Sequence, residues 1–210
     1  MEKQEIRTFG RRHGKKLSTR QKSLVRNVLP GIAPTESEQI NILEIGFGAG
    51  EHLRELAVAN PEKTILGAEP FVNGVASLLS AITNESNQIL PEFRRIRVFP
   101  DDVRLILNAR EFNFAEIWIL HPDPWSKARH EKRRLLNADF LDLLSKHLAQ
   151  NGKIIIGTDH WEYYDWIMNQ IPNTNLRQTD SAHDIVKTRY QKKNMAHTAE
   201  PKYIILTHAA

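Results

Sequence analysis

The chain has no cysteine. Disulfides, thiolate-bound zinc, iron–sulfur clusters and cysteine nucleophiles are all excluded by that one absence. It also lacks any apolar run near the roughly 20 residues that span a bilayer, so no membrane association is expected. Its first residues, Met1-Glu2-Lys3-Gln4-Glu5, include two acids and lead into no apolar stretch, unlike a secretory signal. A cytoplasmic protein is the expectation.

What remains is ordinary for one globular domain: 210 residues, 40% hydrophobic and 26% charged. The net charge of +4 is unevenly spread. Residues 1–30 hold nine Lys or Arg against two Glu, a local +7, which leaves residues 31–210 at −3. The basicity belongs to an arm, either a solvated tail or a phosphate-binding element. Within it Ser18 and Gln21 have the spacing of a capping box, which predicts a short helix with Leu24, Val25 and Val28 on its apolar side, ended by Pro30-Gly31. We divide the chain into a basic arm with a short helix, residues 1–38, and a main domain, residues 39–210.

From residue 40 onward short apolar runs alternate with helical patterns. Strands are predicted at 40–45, 64–68, 94–98, 115–120 and 153–157, with helices near 50–59, 72–83, 102–110, 138–149 and 161–170. The helix at 138–149 has an Asn137 cap and Phe140, Leu143, Leu144 and Leu148 at helical spacing. Such alternation implies an α/β fold, a doubly wound and mostly parallel sheet whose ligands lie beyond the carboxyl ends of the strands. Residues 183–190 and 202–207 follow with only a loop between them, so an antiparallel edge is expected there.

The first strand runs into Gly46-Phe47-Gly48-Ala49-Gly50, a turn where glycines let the backbone approach a cofactor. Position 51 is Glu, so the dinucleotide fingerprint fails at its third glycine. Glu44 would repel a diphosphate but suits the ammonium and sulfonium of S-adenosylmethionine. Glu69, 19 residues after Gly50, ends the second strand, where an acid can accept from both ribose hydroxyls of either cofactor. Asp101 and Asp102 follow the third strand. One of them could accept from an adenine amino group, and either could equally be a helix N-cap.

His121-Pro122-Asp123-Pro124-Trp125 follows the fourth strand. The prolines stiffen a loop that presents a carboxylate beside an aromatic ring, apt for an amino-bearing planar base; a rigid turn around a buried Trp is the plainer reading. Residues 126–134 then hold five Lys or Arg and one Glu, a run that could bind phosphates flanking a target nucleotide. The fifth strand delivers Thr158-Asp159-His160-Trp161 to the same edge, with Asp159 also a possible N-cap. The histidines at 121, 130 and 160 have neither helical spacing nor thiol partners, so no metal is expected.

Methylation at C5 of a pyrimidine starts from a cysteine thiolate, which this chain cannot supply. Guanine N7 has an available lone pair and no proton, so attack on a methyl group requires orientation rather than a base. Carboxylates such as Asp123 and Asp159 would stabilise the cationic ring that results.

Over nearly its whole length the sequence resembles the bacterial tRNA (guanine-N7)-methyltransferases. The resemblance rests on Leu43 to Gly50, on Gly67-Ala68-Glu69-Pro70-Phe71 with Asn73-Gly74-Val75, on Pro122 to His130 with Lys132-Arg133-Arg134, and on Thr158-Asp159. It implies a Rossmann-like S-adenosylmethionine-dependent methyltransferase acting on a guanosine in the tRNA variable loop. It further implies that Glu44, Glu69, Asp101 and Asp123 are cofactor-side residues beside the glycine loop, with Asp123 also catalytic. Lys127, Asp159, Thr188, Arg189, Tyr190 and Gln191 match substrate-contacting positions. Gln191 stands where the family usually has Glu, and His121 where it more often has Phe. Two other readings stay open from the residues: an NAD-dependent oxidoreductase, and a non-catalytic RNA-binding protein on the same fold.

Overall fold

The computed structural model describes residues 8–10, 12–179 and 202–209. Among these, strands β1 (Ile42–Ile45), β2 (Ile65–Ala68), β3 (Ile96–Phe99), β4 (Phe114–Leu120), β5 (Leu148–Thr158), β6 (Leu176–Gln178) and β7 (Lys202–His208) form one sheet in the order β3-β2-β1-β4-β5-β7-β6. The first five strands are parallel, and β7 runs antiparallel to both β5 and β6. The chain reverses its direction of travel across the sheet between β1 and β4, so a crevice opens at their carboxyl ends. The strand predicted at 183–190 lies outside the described residues.

Helices cover both faces, which is why β1 is buried at all four positions. One face packs on α1 (Thr19–Asn27), α2 (Glu51–Ala59) and α3 (Val72–Ile82), through Leu24, Leu53, Leu56, Leu78 and Leu79 against Ile42, Ile65 and Trp118. The other packs on α4 (Val103–Ala109), α5 (Ala138–Lys146) and α6 (Trp161–Gln170), through Ile106, Phe140, Leu144, Tyr163 and Ile167 against Leu43, Ile45, Ile117 and Ile119. No helix among the described residues is long and apolar enough to cross a membrane.

The capping box of α1 forms as expected, with the Gln21 amide donating to Ser18 Oγ at 3.2 Å and the Ser18 amide donating to Gln21 Oε1 at 3.0 Å. Leu24 is fully buried in the core beneath it. Several boundaries differ from the sequence reading, the largest at α5 and β5: α5 ends at Lys146 and β5 begins at Leu148, paired with Phe114, rather than at 153. Leu148 reaches the same core from a strand, so its spacing from Leu144 imitates a helix. Gly152 makes this chain path possible, because a Cβ there would lie 2.8 Å from the Phe114 carbonyl oxygen.

Candidate active site

At the end of β1, Gly46 and Gly48 have φ of 73° and 57°, in the left-handed region open chiefly to glycine. A Cβ on either would meet nothing within 4 Å, so both face open space that a ligand's atoms can enter. Gly50 differs. Its φ is 78°, but a Cβ there would come 2.5 Å from Leu78, so this glycine serves the packing of α2 on α3. Gly74 lets α3 pack against the glycine loop, since its Cβ would come 2.4 Å from the Gly48 carbonyl oxygen.

Glu69 stands across the loop from Gly46. Its Oε2 accepts from the Gly48 amide and its Oε1 from the Phe71 amide, each at 2.8 Å. Burial pushes this carboxyl above its ordinary range and the nearby charges of Asp123 and Glu44 add to the rise, while the two amides pull the other way. Glu44 itself lies beneath the loop, buried, with Oε2 3.2 Å from His52 Nδ1. That imidazole packs on Trp118 at 4.8 Å between ring centres. Sequence reasoning missed His52, whose only signal is a polar residue in the first turn of α2.

After β4 the loop is held at both ends. The His121 amide donates to the Gly157 carbonyl at 2.7 Å, and Arg134 Nε donates to the Pro124 carbonyl at 2.9 Å. His121 and Trp125 flank the Pro-Asp-Pro segment with φ of 51° and 44°. Such conformations are tolerated where the surroundings impose them, and they cluster at ligand sites. Asp123 is presented between them, exposed and close enough for its charge to act on Glu69.

Gly46, Glu69 and Asp123 line one cavity of about 380 Å³, together with Ile45, Phe71 and Trp125. That volume lies in the range of small-molecule sites. Its chemistry fits S-adenosylmethionine: a glycine backbone open to contact, a carboxylate for hydroxyls and further carboxylates for a cationic group. The arm also reaches it. Thr8, Phe9 and Gly10 line the cavity, and Thr8 Oγ1 donates to Asp102 Oδ2 at 2.7 Å. The Val72 amide donates to the Arg12 carbonyl, and the Gly14 amide to Asn73 Oδ1.

The two adjacent aspartates divide their tasks. Asp102 is the N-cap of α4, accepts from Arg104 and Thr8, and lines the cavity; the Arg104 and Thr8 hydrogen bonds outweigh its burial and hold its carboxyl below the usual range. Asp101 pairs with Arg12 and is not among the lining residues.

Lys127 and Asp159 also lie outside the cavity wall. Asp159 Oδ1 is 3.7 Å from His121 Nδ1, and Lys127 is exposed at the start of a 3-10 segment, Ala128–Arg133. Thr188, Arg189, Tyr190 and Gln191 lie outside the described residues. The basic run is not uniform either. Arg134, expected to face phosphates, is buried over the rings of Tyr163 and Trp166 and pins the Pro124 carbonyl. Arg129 and Lys132 are exposed, and Arg133 lies 5.0 Å over the Trp125 ring.

Known proteins are similar to this chain in sequence and in fold. Residues 38–206 match the family described as "Putative methyltransferase". The tRNA (guanine-N(7)-)-methyltransferase of Caulobacter vibrioides is 34% identical, over 92% of each chain. That of Zymomonas mobilis is 36% identical, over 89% of this chain and 87% of its own. Among solved structures, a precorrin-6y C5,15-methyltransferase from Geobacter metallireducens superposes with a TM-score of 0.55 at 15% identity, covering 94% of this chain and 93% of its own, which speaks for the fold alone. By its match to that family over residues 38–206 and its identity to these relatives, the chain belongs to the tRNA (guanine-N7)-methyltransferase family.

Proposed function

We propose that this chain transfers a methyl group from S-adenosylmethionine to N7 of a guanine in the variable loop of tRNA. The observation that carries the reading is the convergence of Gly46, Glu69 and Asp123 on one cavity whose outer margin continues into exposed cations.

Bound S-adenosylmethionine supplies a methyl group on a cationic sulfur. Each Glu69 oxygen, already accepting one amide, retains lone-pair capacity for a ribose hydroxyl. The left-handed turn at Gly46 would let the backbone come close to the donor, and Glu44, buried 3.2 Å from His52, would supply negative charge that favours a cationic ligand. Guanine N7 would attack the methyl carbon with a lone pair that carries no proton, while the methyl–sulfur bond breaks and its electron pair returns to sulfur, so the protein's task is alignment. Asp123 accepts from the guanine N–H groups and faces the positive charge that develops on the ring. Lys127, Asp159 and the segment Thr188 to Gln191 are assigned to the RNA.

The test is to incubate the purified chain with tRNA and methyl-labelled donor, digest the product and identify the modified nucleoside by mass. 7-Methylguanosine from the variable loop is expected. Label in another nucleoside, or none with a known active relative run in parallel, overturns the assignment.

A further inference from the structure

Trp161 opens α6 two residues after Asp159, and 55% of its surface is exposed. The ammonium of Lys202, from the first residue of β7, sits 3.2 Å from the centre of its ring and 4.5 Å from that of Tyr164. Register explains the meeting: Lys202 pairs with Thr158 at the carboxyl end of β5, so one strand end carries both the candidate substrate carboxylate and this cation–aromatic cluster. The same end is joined to the basic segment, because Ser126 Oγ lies 3.0 Å from His160 Nε2. A path therefore runs from Lys127 through Ser126 and His160 to Trp161 and Lys202, and none of these five residues lines the cavity.

A large exposed indole serves no core, and a cation beside it suits a ligand with both a flat apolar face and an anion. We infer that Trp161 and Lys202 form a nucleotide subsite for the RNA substrate, in which an unpaired base beside the target guanine stacks on the indole and its phosphate takes the ammonium of Lys202. Indole stacking accepts any base, since every base has a π face, and Lys202 can exchange the ring quadrupole for a phosphate oxygen as the RNA arrives. The subsite deepens the tRNA assignment above and rests on it.

The two contacts separate by salt. Stacking releases no counterions, whereas a phosphate contact does. With the full chain and unmodified tRNA, Trp161→Ala is expected to weaken binding roughly tenfold at every salt concentration, leaving the slope of log affinity against log salt unchanged. Trp161→Phe, which keeps an aromatic face, should recover part of the loss. Lys202→Ala should reduce the slope by about 1. Calorimetric affinity for the cofactor, read in parallel, should hold in all three variants, which shows that the fold around the cavity persists. Trp161→Ala binding within twofold of wild type overturns the subsite, including the case in which the indole meets a protein instead. So does a Trp161→Ala slope that falls like that of Lys202→Ala, because the indole would then only hold the lysine. A wild-type chain that binds tRNA but transfers no methyl group defeats the activity assignment and leaves this test readable, since it is scored on binding.

Discussion

Glu69 and Asp123 border the same cavity, yet the protein treats the two carboxylates in opposite ways. Glu69 is buried and holds two backbone amides, at a strand end sealed by Gly74 against the glycine loop. Asp123 is exposed between two prolines, on a loop held through the His121 amide, Arg134 and the ring of Trp125 under Arg133. The first region is built like a small-molecule site, with its carboxylate buried and fixed by backbone amides. The second is built like a docking edge, rigid in backbone but open to a large partner, and the exposed cations belong to it. A transferase that joins a small donor to a macromolecule needs both characters side by side, and the switch between β1 and β4 supplies the boundary.

The sharpest way to break this comparison is at Asp123. Asp123→Asn keeps the shape and removes the charge facing the developing cation, so single-turnover transfer on saturating tRNA and donor should fall about 10²–10³-fold. Because the side chain is exposed, the thermal unfolding midpoint should not move. A loss below tenfold would place the stabilising charge elsewhere.

Arg134 tests whether the open edge depends on a buried pin. Arg134→Ala removes the bond to the Pro124 carbonyl and leaves a void beside Tyr163 and Trp166, which should cost about 2–3 kcal/mol in denaturant unfolding and impair transfer. Arg129→Ala, on the exposed part of the same run, should change stability by less than about 0.5 kcal/mol and lower only tRNA binding. Equal stability losses in the two variants would erase the distinction drawn between them.

The five parallel strands were legible because each is a short apolar run between glycine, proline or polar punctuation, and the glycine loop because its spacing and context agree. The details that depend on single polar contacts were not. Nothing in Asp101-Asp102 tells which aspartate caps α4, a choice made by the bonds from Arg104 and Thr8. Leu148 fits helical spacing but is claimed by Phe114 across the sheet. The three-residue β6 is too short for any periodicity. The burial of Arg134 depends on two rings that lie about 30 residues away in sequence.

The arm was the least legible region, and it carries a smaller effect. Charge alone leaves residues 1–16 either a solvated tail or part of the RNA-binding edge; if they belong to that edge, deleting them should flatten the salt dependence of tRNA binding. The structure adds a second consequence, because Thr8 bonds Asp102 and Thr8, Phe9 and Gly10 line the cavity. Deletion should therefore also weaken cofactor affinity, roughly fivefold for the loss of about one hydrogen bond. Unchanged calorimetric affinity would confine the arm to the open edge.

The smallest expected effect is a proton. Glu69 is raised above its ordinary value of 4.5, chiefly by burial. In the free protein the folded state thus holds this proton more tightly than the unfolded chain, so its contribution to stability is full below 4.5 and is lost as pH rises through the folded value. Cofactor binding reverses the preference, since ribose hydroxyls donate to the carboxylate and a cationic ligand favours its charge. Affinity should rise with pH through the free-state value and level off above it, with protons released on binding inside that window. Calorimetry in two buffers of different ionisation enthalpy, at pH values stepped upward from 4.5, reads the release directly. Glu69→Ala should abolish it, whereas Asp123→Asn should only diminish it by removing one charge that raises Glu69. If proton release persists in Glu69→Ala, the titrating group lies outside the buried strand end, and the enclosed half of the site is not set apart by Glu69.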